Sequence, residues 1–155
     1  MSARMRTLVT TLAFAGSSFA WGVAAAAQSA PTPLPRSKVL IHLTTGTENP
    51  TRAALAFLVA RTAISEGDAV TLFLAGDAVQ LLRDGVLDNL AGLGTGKLRE
   101  HFDAIVKGGG RFYVSGMSSS ARGLTEADLK GKPAELATPA VLLRLAREHD
   151  RMFTY

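Results

Sequence analysis

The chain has 155 residues, 47% hydrophobic and 19% charged, a balance that excludes a disordered protein and gives room for one domain with a real core but not for two ordinary ones. It contains no cysteine, which excludes disulfides, a thiolate nucleophile and thiolate metal sites and leaves stability to packing and assembly. The formal charge of +4 overstates the basic character, because Arg4 and Arg6 lie in a segment expected to be removed. Without them Lys+Arg is 15 against 13 Asp+Glu; the signs are interspersed with no basic run, so nucleic acid is not an expected partner.

Residues 1–27 read as an export signal. Arg4 and Arg6 precede an apolar run centred on Leu8 to Ala27, and Ala25-x-Ala27 suits cleavage before Gln28. A retained membrane anchor is the alternative, but Thr10, Thr11, Gly16, Ser17, Ser18 and Gly22 dilute the run. The expected location is therefore periplasmic or secreted, with no stable anchor after cleavage. Residues 28–37, QSAPTPLPRS, hold three prolines and read as an extended linker. The folded domain is expected over 38–155.

Val39 to Leu43 is a short apolar run with β-branched members and predicts a buried strand; His42 within it reads as a hydrogen-bonded core or edge histidine rather than a catalytic one. Asn49-Pro50 supplies a helix start, since the Asn side chain satisfies an orphan N–H and proline lacks one. The helix is expected to run to about Ser65. Its interior, Ala53 to Ala60, is apolar without a break, so it should be buried on more than one side, and a second subunit is one candidate for the extra cover.

Gly67-Asp68 ends that helix and Ala69 to Leu74 predicts the next strand, parallel to the first if adjacent. Ala75-Gly76-Asp77 follows as a loop with Asp77 a candidate N-cap, then a short helix from Ala78 to Asp84, with Val86, Leu87 and Leu90 continuing its spacing. Gly92 to Lys97 lacks the glycine offset, the preceding strand and the Ser/Thr of a phosphate loop, and reads as a flexible connector. Leu98, Phe102, Ile105 and Val106 form the stripe of an amphipathic helix with His101 and Asp103 on its solvated side. Gly108 to Gly110 turn the chain into a strand at Phe112 to Val114. That strand breaks abruptly into Ser115-Gly116-Met117-Ser118-Ser119-Ser120, read as a loop opening onto a helix. Thr125 and Asp128 have capping-box spacing, Thr138-Pro139 starts a last helix with Val141, Leu142, Leu145 and Ala146 inward, and Met152 to Tyr155 predicts a final strand.

Strands alternating with helices predict an α/β three-layer sandwich with a mainly parallel sheet of four to five strands. In such a sheet ligands gather at the loops beyond the carboxyl ends of the strands. Three loops are then expected along one edge: Thr44 to Asn49, Ala75 to Asp77 and Ser115 to Arg122.

The segments Lys38-Val-Leu-Ile-His-Leu-Thr-Thr-Gly, Asn49-Pro-Thr-Arg-Ala, Val70-Thr-Leu-Phe-Leu-Ala-Gly-Asp77, and Tyr113-Val-Ser-Gly-Met-Ser with Ala121-Arg-Gly together resemble the DsrE/DsrF-like family over residues 38–155. The resemblance implies a flavodoxin-like subunit that assembles into dimers, trimers or hexamers, and a link to sulfur metabolism through relay of a cysteine persulfide. It also implies that the relaying cysteine would follow the strand Phe112 to Val114, where this chain has Ser115. A hydroxyl carries no persulfide, so no catalytic residue is transferred from the family.

A Ser115 nucleophile would need a base in reach; His42 is the candidate, and the sequence is not a Gly-x-Ser-x-Gly elbow. A binding role asks less: backbone donors around Ser118 to Ser120, with Arg52 and Arg122, suit a small anion, while the same groups also suit helix capping or a protein contact. The candidate binding residues are Thr45, Gly46, Arg52, Gly76, Asp77, Ser115, Gly116, Met117, Ser118 and Arg122. Met117 reads as a packing residue, since no second methionine or histidine lies at ligand spacing. No metal or cofactor is expected. The function expected is an exported, oligomeric accessory or small-ligand-binding protein; the alternative is a sulfur-transfer or reduction enzyme that borrows a partner's thiol.

Overall fold

The computed structural model describes residues 36–155; the expected signal and nearly all of the linker lie outside them. In chain order the elements are β1 (Lys38–Leu43), α1 (Pro50–Ser65), β2 (Ala69–Leu74), a 3-10 helix (Gly76–Leu82), α2 (Asp84–Asn89), β3 (Ala91–Gly92), β4 (Gly96–Lys97), α3 (Leu98–Lys107), β5 (Arg111–Ser115), α4 (Gly116–Arg122), α5 (Glu126–Leu129), β6 (Ala134–Ala137), α6 (Pro139–Glu148) and β7 (Arg151–Thr154).

Five strands form one parallel sheet in the order β6-β5-β2-β1-β7. Each parallel step needs a helical crossover, which is why the apolar strand runs alternate with helices. Successive strand residues point to opposite faces. Val39, Ile41 and Leu43 of β1, Leu72 and Leu74 of β2, and Phe112 and Val114 of β5 turn to the main core under α1 and α3. Leu40, Phe73 and Tyr113 turn the other way, toward Leu145, Val141 and Leu142 of α6. The three-layer α/β architecture with a mainly parallel sheet is thus present, though its two helical layers are unequal.

Local chemistry explains the element starts. Asn49 Oδ1 accepts from Arg52 N at 3.0 Å, with Pro50 at the first helical position. Asp128 Oδ2 accepts from Thr125 N at 2.8 Å at the head of α5. Thr138 and Pro139 do open α6, although the Thr138 side chain makes no cap bond.

Several expectations are corrected. The region from Gly92 to Lys97 is no flexible connector: β3 and β4 pair antiparallel, and Gly94 and Gly96 take positive φ values of 73° and 84° that favour glycine. A Cβ on Gly92 would fall 2.9 Å from both Ala54 Cβ and Thr51 Cα, so the hairpin is seated on α1. His101 is consequently not solvated. It is 3% exposed, with Nε2 2.6 Å from the Thr95 carbonyl oxygen, because the hairpin folds over the face of α3 that periodicity alone leaves outside. The helix expected from Ala78 to Asp84 is a 3-10 turn, broken by extended backbone at Arg83 before α2 begins. β6 is a strand beyond those expected, since it lacks an apolar run of its own, and β7 starts one residue earlier than expected.

The cover over α1 is also resolved in part. Ala53, Ala54, Ala56, Phe57 and Ala60 are buried against the sheet, α3 and the hairpin, so this chain supplies more than one covering surface itself. Leu55 remains 38% exposed.

Candidate functional site

At the carboxyl edge of the sheet the chain leaves β1, β2 and β5 side by side. β1 and β2 are in register to their ends, Leu43 opposite Leu74, and the pairing continues as Ala75 N donates to Leu43 O at 2.9 Å and Ala78 N to Thr44 O at 3.2 Å. The two loops therefore press together. Gly46 is buried, and a Cβ there would lie 2.6 Å from the Asp77 carbonyl oxygen and 2.8 Å from Asp77 Cβ. Glu48 folds back so that both carboxylate oxygens accept from Gly46 N at 2.9 Å. Thr45, between Thr44 and Gly46, is half-buried.

The third segment is not a loop. β5 passes directly into α4, whose N-cap is Ser115 and whose C-cap is Gly123 with φ 63°; a side-chain cap at one end and a left-handed glycine at the other delimit the helix. Ser115 Oγ accepts from Ser118 N at 3.3 Å, and Ser118 Oγ accepts from Gly76 N at 2.9 Å. Asp77 is not an N-cap; the 3-10 helix starts after Ala75 without a side-chain cap bond. Instead Asp77 Oδ1 accepts from Arg122 Nε at 2.7 Å. Arg83 adds a clamp that no spacing predicts, donating from Nη2 to the carbonyl oxygens of Arg122 at 2.9 Å and Gly123 at 2.7 Å.

The structure thus brings together Gly46, Gly76, Asp77, Ser115, Ser118 and Arg122. Arg52 stands exposed on the first turn of α1, without a bond to that group among the described residues. Met117 is not a packing residue: it is 74% exposed, because α4 starts at Gly116 and turns its second residue outward. Sequence reading also missed Thr44 and Tyr155. Thr44 N and Oγ1 both donate to Tyr155 O, at 2.9 and 3.0 Å, a link between residues 111 apart that leaves no local sign.

The hydrogen bond from Arg122, aided by its charge, holds the Asp77 carboxyl below the usual carboxylate range against an opposing desolvation effect. Since the folded-state pKa is the depressed one, the ion pair contributes stability above the unfolded value of about 3.9 and loses it as pH falls through the folded value. In Arg122→Ala, an NMR titration of Asp77 should return to the ordinary aspartate range; an unchanged midpoint would show that Arg122 is not the cause. Because the pair is exposed, little change in overall stability is expected.

Ser115 has no histidine base. His42 is level with Phe73 and Tyr113 in the sheet, so Ser115 lies two strands away, about 10 Å, and two residues further along, about 7 Å. His42 packs edge-on against Phe73 with ring centroids 5.9 Å apart, and burial lowers its pKa. It is a half-buried histidine on an interior strand, held by packing rather than by the hydrogen bond expected of it. Among the described residues, no group of three or more His, Asp or Glu side chains is arranged to hold a metal.

A cleft of about 320 Å³ lined by Thr47, Pro50, Val86, Asn89, Leu90 and Ala91 opens beside the β1–α1 loop. A larger groove of about 510 Å³ lies elsewhere, between α5 and the edge strand β6.

Comparison with solved structures shows the same fold at low identity. The ychN protein from E. coli superposes with a TM-score of 0.61 at 14% identity, covering 78% of this chain and all of that one. The protein of unknown function MTH1491 from Methanobacterium thermoautotrophicum gives 0.59 at 17% identity, covering 77% and 99%. BT1422 from Bacteroides thetaiotaomicron, also of unknown function, gives 0.58 at 11%, covering 77% and 95%. No curated protein matches. The family model described as DsrE/DsrF-like matches residues 37–155, a span that takes in β1 to β7 and the whole carboxyl edge, and the chain belongs to that family.

Proposed function

We propose that this protein is an exported, oligomeric accessory subunit of the DsrE/DsrF-like type, linked to sulfur metabolism, whose carboxyl edge holds a small ligand or a partner protein without forming a covalent intermediate. One observation carries this reading: Asp77, Ser115, Ser118 and Arg122 at the edge are already engaged, either with one another or with neighbouring backbone amides. The Ser115 hydroxyl caps α4, the Ser118 hydroxyl takes the Gly76 amide, and Arg122 holds Asp77. Met117 remains outward, 74% exposed. Such a surface favours contact over bond-making, and adaptable methionine suits contact. Family membership supports the link to sulfur, and the absence of cysteine separates this chain from persulfide carriers.

The test uses protein recovered after export, whose N-terminus is expected at or near Gln28. Sulfane-sulfur transfer from a small persulfide donor to a low-molecular-weight thiol is followed with and without it. The expected rate is unchanged. An acceleration would sink the accessory reading and favour an enzyme working on a partner's thiol.

A further inference from the structure

The outer face of α1 carries a second pattern besides its core stripe. Arg52, Leu55, Val59 and Thr62, with Glu66 at the C-cap still in helical backbone, recur at spacings of three and four residues and so share one side of the helix, the side turned away from buried Ala53, Phe57 and Ala60. Leu55 is exposed and Val59 half-buried, so this side is apolar at its middle and charged at its ends, with a cation at the N-terminal end and an anion at the C-terminal end. Beside it runs a groove of about 360 Å³ between α1 and the edge strand β7, lined on its apolar walls by Val39, Leu58, Val59, Ala63 and Phe153. Phe153 is 42% exposed there.

We infer that this face binds a second copy of the same chain, α1 against α1, antiparallel about a two-fold axis at Val59. The inference rests on the oligomeric part of the proposed function and gives it a surface. Two independent features fit at one register. With Val59 against the partner's Val59, Leu55 comes opposite the partner's Ala63, where a projecting side chain meets a small residue in the groove wall. At the same register Arg52 comes opposite the partner's Glu66, and symmetry makes both contacts twice. A parallel pairing, or one displaced by a turn, takes Leu55 away from Ala63 and separates the opposite charges. Arg52 then belongs to the subunit contact.

The test measures the mass of the protein recovered after export by light scattering across a concentration series. Leu55→Arg, an exposed substitution expected to leave the circular dichroism spectrum intact, should weaken association about a hundredfold. Arg52→Glu and Glu66→Arg should each weaken it about tenfold, because each sets like charges together twice, and the double swap should restore it. A monomeric wild-type protein would overturn both this inference and the oligomeric reading. An oligomer indifferent to all four variants would overturn the α1 surface alone, as would single swaps that weaken association without rescue by the double one.

Discussion

Phe112→Ala should lower the unfolding free energy by about 3–5 kcal/mol. Phe112 is 1% exposed and stands on β5 where both helices of the thicker layer converge. Its ring centroid is 5.9 Å from Phe57 of α1 and 5.1 Å from Phe102 of α3. Removing it takes away transfer energy and opens a cavity that three separate elements would have to move together to close. Against a typical total of about 5–15 kcal/mol, the variant would be marginal at physiological temperature. Urea unfolding followed by circular dichroism measures this directly, with Leu143→Ala, on the exposed side of α6, as a control within about 0.5 kcal/mol of the parent. A loss under about 1 kcal/mol for Phe112→Ala would mean that the aromatic cluster relaxes freely and does not join the helices to the sheet.

The second large effect belongs to the edge itself. Gly46→Ala should cost about 1–3 kcal/mol, since the new methyl would meet the Asp77 backbone, with its carbonyl carbon 2.7 Å away. No rotamer relieves a collision with main chain. The loops after β1 and β2 would have to part, straining the Ala78 N to Thr44 O bond and drawing Asp77 from Arg122. Two readouts are therefore coupled: the melting temperature falls, and the Asp77 titration moves back toward the ordinary range. An alanine variant as stable as the parent, with Asp77 titrating as before, would show that the edge is pliable and that Gly46 is not needed for the close approach.

The sequence revealed those parts of the fold that announce themselves over short range. Apolar runs at β1, β2 and β5, the Asn49-Pro50 cap and the Thr125/Asp128 box each state a local preference that the tertiary structure leaves intact. β6 was illegible because its residues, Ala134 to Ala137, carry no strand pattern; what holds them is pairing with Phe112 to Ser115. His101 misled because helical periodicity assigns a side to a residue without knowing what else will cover it, here the β3–β4 hairpin. The three segments of the edge were legible because their place follows from strand polarity, and the structure sets six of the candidate residues together there. Their mutual bonds were not legible. Asp77 to Arg122 and Gly76 to Ser118 span 45 and 42 residues, and nothing local distinguishes an aspartate that caps a helix from one that holds a distant arginine.

The position of β7 bears on how the molecule assembles. β1 finds β2 after a single helical crossover, but its other neighbour comes from the far end of the domain: Asp150 Oδ2 accepts from Lys38 N across 112 residues of sequence. Closing so long a loop precedes any reward from the contacts it makes, which slows such pairings. The β1–β2–β5 layer with its two helices has the nearer partners and the larger core, so it is expected to gather first. The seam between β1 and β7 should then form late and open early, which hydrogen exchange would show as earlier loss of protection along β7 than along β2.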